Sequence, residues 1–343
     1  VGLSCFKNEL ENFINPYFLN LDKNILKQAQ YISKCLDTVL IKYLNNNEII
    51  NYFLNNNNYT QIDKKIINFY LKKNYINNRL YRIDFLLDKN KEIKICEINC
   101  RYLENSSLIL LRYKKISKKI YLDSMQLNHL LNKKNLLLFD TKPSNFLKEL
   151  NHTYKNEIDN ILNIENHSLS SFDNILLEAS PINIIPKLNF LSDKHIQNKL
   201  LNHPLFITLI HNKFLLYILR NKVFINKITN STERDILLKH IIPTFSSNHI
   251  PKDTEYLFKP CFSGKGKSVQ RYKKDTSIKE KYIIQKIITP YKFNELLLYN
   301  NYVGTFLVFN GRLVCIGLFR TGNELVVNFN NNPMLLPQIN LQS

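Results

Sequence analysis

Apolar residues recur at three- and four-residue spacings through "NILKQAQYISKCLDTVLIKYL" and "DKKIINFYLKKNY". That spacing gathers them on one stripe of a helix, so residues 1–75 are predicted to be helical. The period shortens to two at Leu80 and stays short through Ile98, as in a half-buried pair of strands. Residues 106–132 return to the helical period. The runs "NLLLFDT" and "DNILLEAS" are almost wholly apolar and end in polar residues, the pattern of buried parallel strands. Residues 195–240 read as helices, including "HNKFLLYIL". From Tyr256 onward strands dominate: "EYLFKP", "KSVQRY", "KYIIQKII", "YVGTFLVFN", "RLVCIGLFR" and "NELVVNF". No repeat of solenoid length is evident. The pattern predicts a mixed α/β protein (α+β mixed) in four segments. These are a helical N-terminal segment (1–75), a hairpin (76–105), a small α/β subdomain (106–205) and a strand-rich lobe (206–343).

Glycine placement sharpens this picture. Of seven glycines, six lie between Gly264 and Gly322. Asn310 and Gly311 fit a tight hairpin turn. Gly264 and Gly266 sit elsewhere, in a lysine-rich loop.

The formal charge of +19 suggests anionic partners. Its source is mostly lysine, with arginine sparse and asparagine abundant. Arginine is the preferred reader of bases and phosphates, so a solvated lysine surface that favours anions in general is expected, and a dedicated nucleic-acid protein is not. No apolar run has the length of a membrane span, and the N-terminus lacks the apolar stretch of a signal peptide. The six cysteines fit no zinc spacing. Cys96 and Cys100 are expected to be buried strand-end thiols in a reduced, cytoplasmic protein.

Two stretches carry candidate chemistry. In "YRIDFLLDKNKEIKICEINCR" strand alternation puts Arg82 and Asp84 on one face and Glu97 and Asn99 on one face. The turn "DKNK" allows an antiparallel hairpin that sets the two pairs opposite each other. Two carboxylates and an amide oxygen are hard ligands suited to Mg²⁺, and an arginine beside them suits phosphate or carboxylate. An ordinary charged strand face is the competing reading. In "YLFKPCFSGKGKSVQRY" Lys259 precedes a loop bearing Ser263, Gly264 and Gly266. Glycines let backbone N–H groups approach a phosphate. The spacing is not that of a Walker loop, and a strand follows rather than a helix. Gln285, near the end of a strand, suits either an adenine edge or a structural hydrogen bond. Arg320, at the end of an apolar strand, can stabilise a transferring phosphoryl group.

In this order the motifs resemble the ATP-grasp superfamily in its circularly permuted form, and within it the synthetase domain of glutathionylspermidine synthase. "RID" with "EIN" resembles that family's metal motif, although Ile98 stands where the family has tyrosine. "HNKFLLYIL" resembles its lysine-bearing helix, "LFKPCFSGKGKSV" its strand and flap, "YIIQKIITPYKF" its adenine hinge and "VGTFLVFNGRLVCIGLFR" its arginine-bearing strands. The resemblance covers residues 75–105 and 205–340. It implies a two-lobed core and an ATP-dependent carboxylate–amine ligase acting through an acyl phosphate. Asp84, Glu97 and Asn99 would hold Mg²⁺. Lys213, Lys259, Ser263, Gly264, Gly266 and Gln285 would hold ATP. Arg320 and Arg82 would be catalytic. The partners would be a small-molecule or peptide carboxylate and an amine. The rival readings are an ATP-grasp protein with another acceptor or a regulatory nucleotide site, and a basic nucleic-acid-binding protein.

Overall fold

A computed structural model describes residues 19–55, 59–71, 76–101, 133–140, 157–166, 169–246, 255–261, 269–271, 282–293, 301–316, 319–323, 334–336 and 338–340. The strand expected in "NELVVNF" and the helix expected over 106–132 fall wholly or largely outside these residues; of "KSVQRY" residues 269–271 are described, and Gln270–Arg271 form a strand there.

The N-terminal helices follow the apolar periodicity. After a short strand β1 (Leu19–Leu21), helix α1 (Lys23–Leu44) starts at Asp22, whose side chain caps the N–H of Asn24. Ile25, Ala29, Ile32, Leu36, Val39, Leu40 and Tyr43 form its buried stripe. Helices α2 (Asn47–Asn55) and α3 (Gln61–Leu71) follow. β1 pairs in parallel with the last strand, Leu19 opposite Gln338, so the predicted all-helical start carries one strand.

The hairpin is strands β2 (Leu80–Leu87) and β3 (Ile93–Asn99). Three parallel strands come next: β4 (Asn135–Phe139), β5 (Glu157–Asn160) and β6 (Asn174–Glu178), with β4 in the middle. β4 and β6 are the two apolar runs read from the sequence. A π-helical turn (Phe206–Ile210) leads into three helices: α4 (Phe214–Ile218), α5 (Lys222–Ile228) and α6 (Ser231–His240). The strand-rich region then supplies β7 (Thr244–Ser246), β8 (Tyr256–Pro260), β9 (Gln270–Arg271) and β10 (Tyr282–Lys286), a sheet in the order β7-β10-β8-β9. The remaining strands are β11 (Asn301–Phe309), β12 (Arg312–Ile316), β13 (Phe319–Gly322), β14 (Met334–Leu336) and β15 (Gln338–Asn340).

β11 organises the largest sheet, ordered β14-β13-β11-β2-β3 with β12 also paired to β11. One edge of β11 takes β2; the other takes β13 along its first residues and β12 along its last. The hairpin at residues 80–99 is thus joined to strands more than two hundred residues away. Asn310 and Gly311 make the tight β11–β12 turn with φ of 48° and 77°. Asn202 ties the parallel sheet to the large one: its amide bonds Leu177 N and O and also Cys100 O.

The large sheet has one apolar face. Ile83, Phe85, Phe306 and Phe319 point into the core, fully buried. Gly304 lies between the rings of Phe85 and Phe319, where an added Cβ would come within 2.6 Å of both. Gly304→Ala is therefore expected to lower stability by about 1–3 kcal/mol through overpacking, read as a lower urea midpoint. An unchanged midpoint would show that the rings yield freely.

Candidate functional site

The other face of this sheet is polar, and strand register assembles it. Arg82 lies opposite Asn99, and Asp84 opposite Glu97. Asp84 also faces Thr305 on β11, and Arg320 on β13 faces Val303. Val303 and Thr305 are two apart, so Arg320 and Asp84 emerge on the same face. Arg320 reaches across β11 to Asp84 Oδ2 at 2.7 Å. Arg82 Nε holds the other carboxylate oxygen at 2.7 Å.

A β-bulge makes this face possible. Strict alternation along β3 would put Ile93, Ile95 and Glu97 together, mixing core and charge. The register instead shifts between Asp84 and Phe85, leaving Cys96 as the extra residue. Ile93 and Ile95 pack inward while Glu97 and Asn99 join the polar face. The Cys96 thiol donates to Asp84 O at 3.2 Å, and its own carbonyl accepts from Lys259 Nζ at 3.4 Å. Cys96 and Cys100 are both buried, as the sequence suggested, and burial pushes the Cys96 thiol up to about 12.

The remaining groups converge from other elements. Lys213, at the start of α4, pairs with Glu97 Oε1 at 3.1 Å, and its backbone N–H bonds Cys261 O. With its amide oriented to suit its neighbours, Asn99 donates to Glu97 and accepts from Arg82. Lys259 on β8 and Gln285 on β10 come together across the antiparallel pair. Lys259 Nζ donates to Gln285 Oε1 at 2.5 Å, and Gln285 Nε2 donates to Thr244 Oγ1 at 3.2 Å. The structure therefore brings Arg82, Asp84, Glu97, Asn99, Lys213, Lys259, Gln285 and Arg320 into one hydrogen-bonded cluster. Ser263, Gly264 and Gly266 lie outside the described residues.

Three groups in or beside this site were not singled out from sequence. Glu178, fully buried at the end of β6, acts electrostatically on Arg82. The Cys96 carbonyl, at the bulge, accepts from Lys259 Nζ. Arg101, two residues past Asn99, was detectable as one of few arginines in a lysine-rich chain.

Burial by itself would raise the Asp84 carboxyl, yet Arg82 and Arg320 hold it below its ordinary value. Its contribution to stability is complete above the unfolded value near ~4 and is lost as pH falls through the lower folded value. Urea midpoints taken from pH 6 down to pH 3 should fall in the wild type. Asp84→Asn should lack that part of the slope; equal slopes would remove Asp84 from the acid response.

The donor set suits a hard cation: two carboxylates and an amide oxygen. In the structure both Asp84 oxygens are engaged by arginines and Glu97 by Lys213, so a cation would have to exchange with these partners. Among the described residues no group of three or more His, Cys, Asp and Glu side chains forms a metal cluster, and no helix is long and apolar enough to cross a membrane.

Three comparisons place the chain among known proteins. Residues 54–173 match the family described as AnkG N-terminal domain. That span holds the hairpin and the parallel strands β4 and β5, and it stops short of Lys213, Lys259 and Arg320. A curated relative, the 3-isopropylmalate dehydratase small subunit of Azobacteroides pseudotrichonymphae genomovar. CFP2, is 32% identical over 104 residues, 28% of this chain and 52% of that protein. The chain thus spans about half the length of that relative. The solved structure of a glutathione synthetase-like effector from Globodera pallida aligns over 96% of this chain and 90% of its own, with TM-score 0.55 and 11% identity. A putative gamma-glutamylcysteine synthetase from Methylobacillus flagellatus KT aligns over 89% and 88%, with TM-score 0.39 and 11% identity. The likeness to the Globodera protein is one of fold, and it runs through nearly the whole chain.

Proposed function

We propose that this chain is an ATP-dependent ligase that joins a carboxylate to an amine. The finer reading is a circularly permuted ATP-grasp enzyme like the synthetase of glutathionylspermidine synthase. One observation carries the proposal most directly. Lys259 is a buried ammonium, 9% exposed, whose acceptors among the described residues are neutral: an amide oxygen and a backbone carbonyl. A buried cation is stable in such a setting when an anion completes it. Around it, Arg82, Lys213 and Arg320 face Asp84, Glu97 and, beyond Arg82, Glu178. Among the described residues this is a setting rich in cations, suited to a polyphosphate. The shared fold with a glutathione synthetase-like protein supports the same class.

In this reading Lys213 and Lys259 bind phosphate oxygens, and Arg320 with Arg82 stabilises charge on the phosphoryl group in transfer. Asp84, Glu97 and Asn99 would hold Mg²⁺, which supplies charge neutralisation of the phosphates. No side-chain nucleophile is required, since the chemistry is positioning and charge stabilisation.

The ion pairs make a specific expectation. Mg²⁺ alone competes with two arginines for Asp84, whereas a triphosphate offers those arginines new partners and frees the carboxylate. Calorimetry should show no heat for Mg²⁺ alone, binding for Mg-ATP, and loss of the Mg²⁺-dependent part in an Asp84→Asn, Glu97→Gln double variant. If wild type and variant respond alike to Mg-ATP, the polar face is structural and the ligase reading fails.

A further inference from the structure

Beside the ion-pair cluster lies a cavity of about 300 Å³. Among the described residues, Asn212 and Cys261 form part of its wall. Asn212 directly precedes Lys213 in the chain, and the Cys261 carbonyl accepts from Lys213 N at 3.3 Å. The cavity therefore backs onto the lysine that pairs with Glu97. Ser180 and Pro181, just past β6, form another part of the wall. That places the cavity at the carboxyl end of a parallel strand, where ligands of α/β sheets bind.

Two buried polar groups on this wall are left incomplete. Asp63, in the first turn of α3, is 7% exposed. Its Oδ2 closes the helix cap, accepting from Thr60 N at 3.3 Å and from Thr60 Oγ1 at 2.6 Å. Its Oδ1 accepts no hydrogen bond among the described residues. Burial raises the carboxyl above its ordinary value, and the Thr60 bonds and the charge of Arg101 offset only part of that. A cationic donor at Oδ1 would complete the stabilisation of the carboxylate. Asn212 is 5% exposed. Its Oδ1 accepts from Phe214 N at 2.9 Å, while its Nδ2 has no acceptor among the described residues. A buried N–H in that state is satisfied by an acceptor on whatever fills the neighbouring space. Arg101 also borders the cavity and has partners of its own, and no ligand contact is assigned to it.

The two incomplete groups ask for different things, a cation at Asp63 and a neutral acceptor at Asn212. A simple alkylamine would leave Asn212 unmatched. A neutral amide without an amine would leave the Asp63 charge unmatched. Ile62, Ile182 and Ile207 add apolar wall. Ile182 is 58% exposed, so an apolar side chain lying on it can continue toward solvent. A volume near 300 Å³ is at the small end for ligand pockets and suits one residue-sized group.

We propose that this cavity binds a primary amine with a neighbouring carbonyl oxygen, as in an amino-acid amide or the N-terminus of a peptide, its ammonium on Asp63 and its carbonyl on Asn212. As a binding site this stands on the cavity itself; as the amine subsite of a ligase it rests on the function proposed above. Asp63 is then a specificity residue supplied by the N-terminal helices. Its cap role is separable, because asparagine retains the capping oxygen.

The test is calorimetry on the full chain without nucleotide or Mg²⁺, at a pH where the amines are protonated. L-leucinamide is compared with 4-methylpentanamide, which lacks the amine, and 3-methylbutylamine, which lacks the carbonyl. Leucinamide is expected to bind about tenfold or more tightly than either analogue. In Asp63→Asn, leucinamide and 3-methylbutylamine should weaken about tenfold while 4-methylpentanamide does not. In Asn212→Asp, which keeps the acceptor for Phe214 N, 4-methylpentanamide should weaken about tenfold while 3-methylbutylamine does not. Equal binding of the three probes to the wild type, no binding of leucinamide, or variants that shift all three alike would overturn the proposal. Mg-ATP binding is measured separately: if it persists while leucinamide fails to bind, this inference falls alone.

Discussion

Asp84→Asn is expected to abolish the Mg²⁺-dependent part of ATP binding and to lower folding stability by about 3 kcal/mol. The two effects share one cause. Asp84 is 3% exposed and neutralises Arg82 and Arg320 together. Asparagine preserves the shape but leaves two arginine forks without that counter-charge, and breaking one side of a buried pair typically costs about 3–5 kcal/mol. The lower end applies because Glu97 and Glu178 still act on Arg82. Urea denaturation and calorimetry on the same protein read both effects. A destabilised variant that binds Mg-ATP normally would make Asp84 a structural counter-ion only.

Lys259→Met should give the opposite signature. Methionine fills the space of the lysine stem and removes a buried charge whose partners are neutral, so stability should change by less than about 1.5 kcal/mol. ATP binding should weaken by about tenfold to a hundredfold, the loss of a charge-assisted hydrogen bond to phosphate. Adding ATP should then raise the melting temperature of the wild type and not of the variant. If the variant is strongly destabilised and its ATP affinity is unchanged, Lys259 serves the β8–β10 pair and not a ligand.

The contrast between these variants follows from where each charge finds its partner. Asp84 is satisfied within the protein. Lys259 is held by oxygens that carry no net charge. A polar cluster in which every ion were internally paired would fit a purely structural role. Among the described residues the arginines pair with carboxylates and Lys259 with neutral oxygens, which favours an anionic ligand.

Much of this arrangement was legible in the chain. The change of period at Leu80 located the hairpin, and alternation within each strand put Arg82 with Asp84 and Glu97 with Asn99, because side-chain direction in a strand is a local property. The apolar runs at 135–139 and 174–178 are parallel strands in which every residue is buried, so both alternating sets of side chains are largely apolar. The Asn310–Gly311 turn was readable because few residues accept positive φ. Alternation does not run unbroken through Cys96. The bulge there is invisible to a period-two count, because it arises from Ile95 and Glu97 needing opposite faces once β2 is alongside.

Local chemistry, then, is what the sequence determined: which residues form each strand, which side chains share a face, and which arginines are rare enough to notice. The tertiary structure alone decided their partners. Arg320 meets Asp84 because β11 stands between their strands with Val303 and Thr305 in register. Lys259 meets Gln285 because β8 and β10 pair antiparallel. Asp63 and Asn212 face one cavity because the helices and the parallel sheet close around it. These contacts join residues tens to hundreds of positions apart, and no periodicity within a segment encodes which distant segment will bury it.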